Sequence, residues 1–279
     1  SAPTSSGSAI MASGPDGPER IERAPAGGPG RSMVFRKARE VWRESLAMGV
    51  LRHELDQLLS QDRSRELLGR FRRISEAIEC PHNESHVLSF AVALLSLPPD
   101  VEGCIVEAGC FKGGSTAKTS IVAKLLGRTL VVFDSFEGLP ENAEEHDRTI
   151  DGVSIREWFR PKAFCGSLEE VRANVARHGE PDACRFVKGW FEDTLPGFSV
   201  PVCAGYLDVD LAASTRTCLQ YLYPRLSPGG VLVSQDGDFP LVLEVFEDER
   251  FWRESVGCER PVIDGLRRSK MISVRKPRG

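Results

Sequence analysis

No long apolar run, no metal-type cysteine spacing and no excess of one charge mark this chain of 279 residues. Its apolar stretches, such as Val87 to Pro99, fall well short of the roughly 20 residues that cross a bilayer. An apolar signal core is missing near the N-terminus, so a cytoplasmic chain with no membrane partner is expected. The 36 Lys plus Arg against 40 Asp plus Glu give a net charge of −4 and a pI near 5.8. Such a balance exerts no general pull on phosphate backbones, and no nucleic-acid partner is expected. The eight cysteines include no CxxC pair and no His at ligand spacing, so reduced thiols are expected in place of a zinc site. Cys104 and Cys203 lie in apolar runs, where cysteine behaves as a small hydrophobe. Core material is plentiful: 41% hydrophobic with 27% charged residues excludes full disorder and describes one large core, or one core with a small appendage.

Residues 1–32 are mostly Ser, Gly, Pro and Ala, with too few large apolar side chains to offset the entropy of ordering them. A flexible segment is expected there, and Ser1 to Ile10, ahead of Met11, resembles an expression scar. From Val34 to Ile78, charged residues interleave with Val41, Trp42, Leu46, Leu51, Leu55, Leu58, Leu59, Leu67, Leu68 and Phe71 at near-helical spacing. This predicts a helical arm or cap over 33–83. Cys80-Pro81-His82-Asn83 interrupts it, and Glu84 to Leu97 reads as a largely apolar helix stopped by Pro98-Pro99. Beyond Asp100, short apolar runs alternate with helical segments, the pattern of parallel strands joined by crossover helices. Strands are expected near 104–108, 130–134, 184–188, 203–208, 231–235, 261–264 and 270–275, with helices near 114–127, 167–178, 214–225 and 240–250. The last two strands, joined by a turn at Asp264 to Arg268, should form an antiparallel hairpin. Phe136 to Gly166 shows no periodicity, and a loop of that length in a compact domain is usually a lid.

Four stretches carry chemistry. The first, Cys104 to Ala108, is an apolar strand with Glu107 near its end, running through Gly109 into Gly113-Gly114 and a helix opening at about Ser115. Glycines there allow close backbone approach to a ligand. The spacing is not the GxGxxG of dinucleotide sites, and a carboxylate so near a helix N-terminus would repel a pyrophosphate but pair with an ammonium. That favours S-adenosylmethionine over NAD. The second stretch ends its strand in Asp134, about 20 residues beyond the glycine turn, where a carboxylate can accept both ribose hydroxyls. The third, Tyr206 to Leu211, places Asp208 and Asp210 on one face of the strand's C-terminal edge. The fourth, Val231 to Asp238, delivers Asp236 and Asp238 to the same edge, and such converging oxygens suit a hard octahedral cation such as magnesium.

Together, Ile105-Val106-Glu107-Ala108-Gly109 with Gly113-Gly114, Asp134-Ser135-Phe136-Glu137-Gly138-Leu139-Pro140, Gly189-Trp190-Phe191-Glu192-Asp193-Thr194-Leu195-Pro196 and Leu207-Asp208-Val209-Asp210-Leu211 resemble the macrocin/mycinamicin O-methyltransferase family. The resemblance extends through Leu222 to Gly230 and covers roughly 84–276. It implies an α/β class I methyltransferase (Rossmann-like) fold: a seven-stranded, mostly parallel sheet with a C-terminal antiparallel hairpin, following the helical arm. It implies S-adenosylmethionine-dependent methylation of a hydroxyl, typically of a sugar, on a small natural product, usually with magnesium. Carried over by position, Glu107 and Gly109 would sit against the methionine part, Asp134 and Ser135 near the ribose, and Trp190 and Phe191 by the adenine, with Ala108, Gly113 and Ser115 also among the cofactor-binding residues. Asp208 would be the catalytic base beside the cofactor, with Asp210 and Asp236 as metal ligands. Gln235 departs from the family pattern, which places two adjacent aspartates after this strand; Asp238 could restore the charge if the loop turns at Gly237.

In this reading Trp158, Phe159 and Phe164 of the lid close over the acceptor, and His146 is a candidate helper in proton transfer. The arm would complete the pocket or join copies of the chain into a homo-oligomer. Two other classes stand beside this reading: a scaffold that binds the cofactor without chemistry, and a nicotinamide oxidoreductase. Retention of Asp208 speaks against the first, and Glu107 with the missing GxGxxG against the second.

Overall fold

The computed structural model describes residues 29–278, with side chains from residue 41 on. The expected flexible segment lies outside that range up to residue 28. The described chain divides into two units between Arg43 and Glu44. The arm is two helices, α1 (Pro29–Leu58) and α2 (Gln61–Ala77), and Pro98-Pro99 follows the end of α3 (Glu84–Leu95).

The remaining chain alternates strand and helix: β1 (Cys104–Ala108), α4 (Gly114–Leu125), β2 (Leu130–Asp134), α5 (Leu168–His178), β3 (Cys184–Lys188), a short α6 (Phe191–Thr194), β4 (Val202–Leu207), α7 (Ala212–Leu222), β5 (Leu226–Ser234) and α8 (Pro240–Glu247). The two-residue β6 (Ile263–Asp264) and β7 (Ile272–Arg275) close it. The helix expected over 240–250 stops at Glu247, because Asp248 leaves helical geometry and caps a new turn by accepting from Phe251 N–H at 3.0 Å.

These strands form one seven-stranded sheet in the order β3-β2-β1-β4-β5-β7-β6. The first five pair in parallel, and β7 runs antiparallel to both β5 and β6. Strands β1, β2 and β3 build outward one way and β4 starts again on the other side of β1, so the order reverses between β1 and β4. Ligands of open α/β sheets bind at the strand C-termini beside such a reversal.

Period-two alternation divides the core between the faces. Val106, Ala108, Val131, Phe133 and Leu207 pack with Leu219, Leu222, Leu243, Phe246 and Trp252 on one side. Ile105, Val132, Ala204, Tyr206 and Val233 pack on the other with Leu67, Phe71 and Ile74 of α2, Val87 and Leu88 of α3, and Ile121 of α4. The buried Lys118 of α4 donates to Ser75 Oγ of α2 at 2.7 Å, and Lys112 pairs with Glu79 at 2.5 Å. These contacts fix the α2–α3 connection at the carboxyl edge of the sheet. All eight cysteines are free, and Cys165 is the exposed one.

Candidate active site

At the carboxyl edge lies a cavity of about 460 Å3, within the range of small-molecule sites. It brings together Gly109, Asp134, Ser135, Trp190, Phe191, Asp208, Asp210 and Asp236 of the residues singled out in the sequence. Trp158 and Phe164 of the 136–166 segment also line it. Glu107, Ala108, Gly113 and Ser115 lie behind this wall and do not line it.

The glycine turn has a physical reason besides ligand approach. Gly109 has φ +82°, and a Cβ there would come within 1.9 Å of the Asp208 carbonyl oxygen. The glycine thus admits the neighbouring strand's backbone. Gly113, also at φ +82°, is the left-handed residue ahead of α4. Glu107 is fully buried with no hydrogen-bond partner for either oxygen. Burial pushes its carboxyl up to about 7, with the Ser115 and Thr116 hydroxyls opposing.

Asp134 sits at the end of β2, where Oδ2 accepts from Cys110 N–H and Oδ1 from Phe136 N–H, each at 2.7 Å. Each oxygen keeps a second lone pair for a ligand hydroxyl. Burial raises its pKa, and the two amides oppose that rise. Ser135 donates to the Gly138 carbonyl at 2.9 Å, shaping the turn after the strand.

On the far side of the reversal, ligand-type oxygens of Asp208, Asp210 and Asp236 lie within 4.8 Å of one another. Asp236 folds the segment after β4: its Oδ2 accepts from Val209 N–H at 3.0 Å and Asp210 N–H at 3.1 Å. Its Oδ1 is buried and has no partner. Asp210 holds a left-handed backbone at φ 61°, which aspartate tolerates better than most residues. Burial and mutual crowding push the carboxyls of Asp210 and Asp236 upward, with Lys270 opposing.

The lining residues that were not among the sequence candidates include a histidine and a lysine. His82, between α2 and α3, places Nε2 2.6 Å from Asp208 Oδ2. Lys270, in the β6–β7 turn, lies 3.6 Å from Asp238 and over the Phe239 ring. Gly237 allows that approach, since its N–H donates to the Lys270 carbonyl at 2.9 Å and a Cβ would meet that oxygen at 2.7 Å. Asp238 is therefore turned to Lys270 and lies outside the three-carboxylate cluster. Nothing local in the sequence marks either residue; only long-range contacts bring them in.

His146 is displaced from the role expected of it. Its Nε2 pairs with Glu144 at 3.0 Å, and its buried ring packs on Phe159 and Phe239, outside the cavity lining. Phe159 likewise belongs to the core.

Comparison with known proteins agrees with this geometry. The chain is 37% identical over 176 residues to an 8-demethyl-8-(2,3-dimethoxy-alpha-L-rhamnosyl)-tetracenomycin-C 4'-O-methyltransferase of Streptomyces olivaceus, covering 61% of this chain and 66% of that protein. It is 31% identical over 161 residues to a mycinamicin III 3''-O-methyltransferase of Micromonospora griseorubida, covering 56% and 63%. The chain thus spans just under two thirds of the length of the curated relatives it matches. Among solved structures, the O-methyltransferase NovP has a TM-score of 0.53 at 24% identity over 77% of this chain and 81% of its own. The calicheamicin methyltransferase CalS11 also has a TM-score of 0.53, at 18% identity over 78% and 94%. At these identities both establish the fold, a class I methyltransferase sheet. The family model for macrocin O-methyltransferase (TylF) matches residues 92–264, more than half of the chain, which therefore belongs to that family.

Proposed function

We propose that this chain transfers a methyl group from S-adenosylmethionine to a hydroxyl of a small natural product, most simply a sugar hydroxyl as in the names of its relatives. The observation that carries this reading is one cavity at the sheet reversal holding Asp134, the Trp190–Phe191 wall and Asp208 together. No feature of the site favours the scaffold or nicotinamide readings.

The residues present fit the methyl donor: the cavity has the right size, and Asp134 keeps lone pairs for ribose hydroxyls. Bound S-adenosylmethionine supplies an electrophilic methyl on a sulfonium. Trp158, Phe164, Trp190 and Phe191 line the cavity and exclude water, and Asp208 receives the hydroxyl proton. The acidic cluster also fits a magnesium ion, given the neighbouring carboxylates of Asp210 and Asp236 and the unpartnered Asp236 Oδ1. Asp210 and Asp236 would hold it, and it would lower the pKa of the acceptor hydroxyl.

The same proposal divides the chain into an arm at 33–83 and a catalytic domain at 84–279. It joins copies through α1, where Val41, Trp42, Leu46 and Val50 are more than half exposed. A cytoplasmic setting completes it, supported by the eight free thiols. Among the described residues no helix is long and apolar enough to cross a membrane.

Calorimetric titration with S-adenosylhomocysteine, with magnesium and after chelation, tests the donor site. Binding in both runs is expected, and no binding in either removes the reading. Direct magnesium titration should show one site that Asp210→Ala eliminates; equal binding by the variant would remove Asp210 as a ligand. Turnover is assayed on 8-demethyl-8-(2,3-dimethoxy-α-L-rhamnosyl)-tetracenomycin C and mycinamicin III.

A further inference from the structure

The cavity follows the carboxyl edge of the sheet in strand order. Asp134 ends β2, Gly109 follows β1, Asp208 follows β4, Asp236 lies just past β5, and Lys270 stands two residues ahead of β7. Strand β7 is antiparallel to β5, with Ile272 paired to Ser234, so the residues ahead of it lie at that same edge. In the order β2-β1-β4-β5-β7, Asp134 and Lys270 mark the two ends. Four steps at about 4.8 Å each separate them by roughly 19 Å. A donor with its ribose at Asp134 and its methyl at Asp208 occupies the β2–β4 side. The β5–β7 side, where Lys270 stands, is left to the acceptor.

Among the described residues that line the cavity, Lys270 is the one lysine or arginine. It lies outside residues 92–264, so the match to the family model says nothing of it. The side chain is 30% exposed, and its ammonium lies 5.3 Å from the centre of the Phe239 ring, which also lines the cavity. Its carbonyl is tied to Gly237 N–H at 2.9 Å, so the backbone that carries it is fixed. Asp238 Oδ2, at 3.6 Å, is an ion-pair partner beyond close hydrogen-bond distance. An ammonium has three donors, and Asp238 can engage at most part of them. The rest are available on the cavity side, on a stem flexible enough to adjust to the oxygen it meets.

We propose that Lys270 is an acceptor-binding residue that selects a ring bearing a second oxygen beside the hydroxyl to be methylated, a polyhydroxylated or polyalkoxylated sugar, by donating a hydrogen bond to that second oxygen. This rests on the reading of Asp134 as the ribose end and Asp208 as the base. With the reacting hydroxyl at Asp208, its ring neighbours point along the edge toward β7. A ring with one isolated hydroxyl would displace water from the ammonium without replacing its hydrogen bond, and a site built to donate to a substrate oxygen discriminates strongly against an analogue that lacks it. The contact lies away from the reacting atoms, so its loss falls on acceptor affinity and spares kcat.

The test loads the full chain with S-adenosylhomocysteine and titrates two probes, read by saturation-transfer NMR. One is methyl α-L-rhamnopyranoside, whose ring hydroxyls are adjacent; the other is its 2,3-dideoxy analogue, which keeps a single hydroxyl. The parent should bind the first about 10-fold more tightly. Lys270→Met keeps the length of the stem and removes the donors, and should bring the two probes within about twofold of each other. Lys270→Arg, which keeps donors, should retain most of the preference. Calorimetric affinity for S-adenosylhomocysteine should stay within about threefold in both variants. A preference that survives in Lys270→Met, no preference in the parent, or binding of neither probe overturns the proposal. Equal weakening of both probes with a lowered melting temperature would reduce Lys270 to a structural partner of Asp238 and overturn it too. Failure of the parent to bind S-adenosylhomocysteine is a separate outcome: it sinks the methyltransferase reading and, with it, the proposal that rests on it.

Discussion

Glu107 shows how a single residue can be legible in sequence and still behave unexpectedly in the fold. Its place at the end of an apolar strand marked it as a site residue, yet its carboxylate is fully buried and unpartnered. With a folded-state pKa of about 7 against an ordinary 4.5, the folded chain keeps a proton that the unfolded chain loses between those values. Stability therefore falls as pH rises from about 4.5 to 7, and the penalty is fully present above that. Replacement by Gln should remove this dependence. In melts from pH 5 to 8, the parent should lose up to about 3 kcal/mol relative to Glu107→Gln. A constant difference across that range would show that the carboxyl is not perturbed. Gly109 was legible as a special position and lines the cavity, but its close approach to the Asp208 carbonyl was not, since no local pattern announces the backbone that follows β4. His82 was not legible at all, because its partner lies 126 residues away.

Among the elements, strands and helices were read well because apolar runs of strand length alternate with helical periods, and the closing antiparallel pair was placed correctly. The 136–166 segment was recognised as a candidate lid only by its lack of period, so its internal ties could not be foreseen. It is anchored to the domain: Glu144 accepts from Ala212 N–H and Ala213 N–H at 2.8 Å each, satisfying the first amides of α7, and also pairs with His146. Ile150 N–H donates to the Asp238 carbonyl at 2.9 Å. These partners hold the Glu144 carboxyl below its usual range against the opposing effect of burial. Glu144→Ala should cost about 1–2 kcal/mol, read as a fall in melting temperature of about 2–8 °C. Affinity for S-adenosylhomocysteine should stay within about threefold, since Glu144 lies outside the cavity lining. An unchanged melting temperature would mean that water caps α7 equally well.

The whole molecule follows from strand order: a sheet that reverses between β1 and β4 opens its carboxyl edge there, and the sequence candidates on β2, β4 and β5 converge on it. Whether copies of the chain associate was left open by the sequence, since arm helices suit either a cap or an interface. The exposed Leu46 and Val50, one helical turn apart on α1, favour an interface. Light scattering should show an oligomer, and the double substitution Leu46→Glu, Val50→Glu should shift it to monomer with donor affinity intact. An unchanged mass would exclude this face. The thiols supply a route to the surface of the 136–166 segment. Burial raises the pKa of seven of them, with Cys104 near 11 and Cys184 near 12. Cys165, at the end of the 136–166 segment, is the exposed one. An alkylating dye thus has one favoured address on the native chain, at the end of the 136–166 segment, and needs no engineered label site.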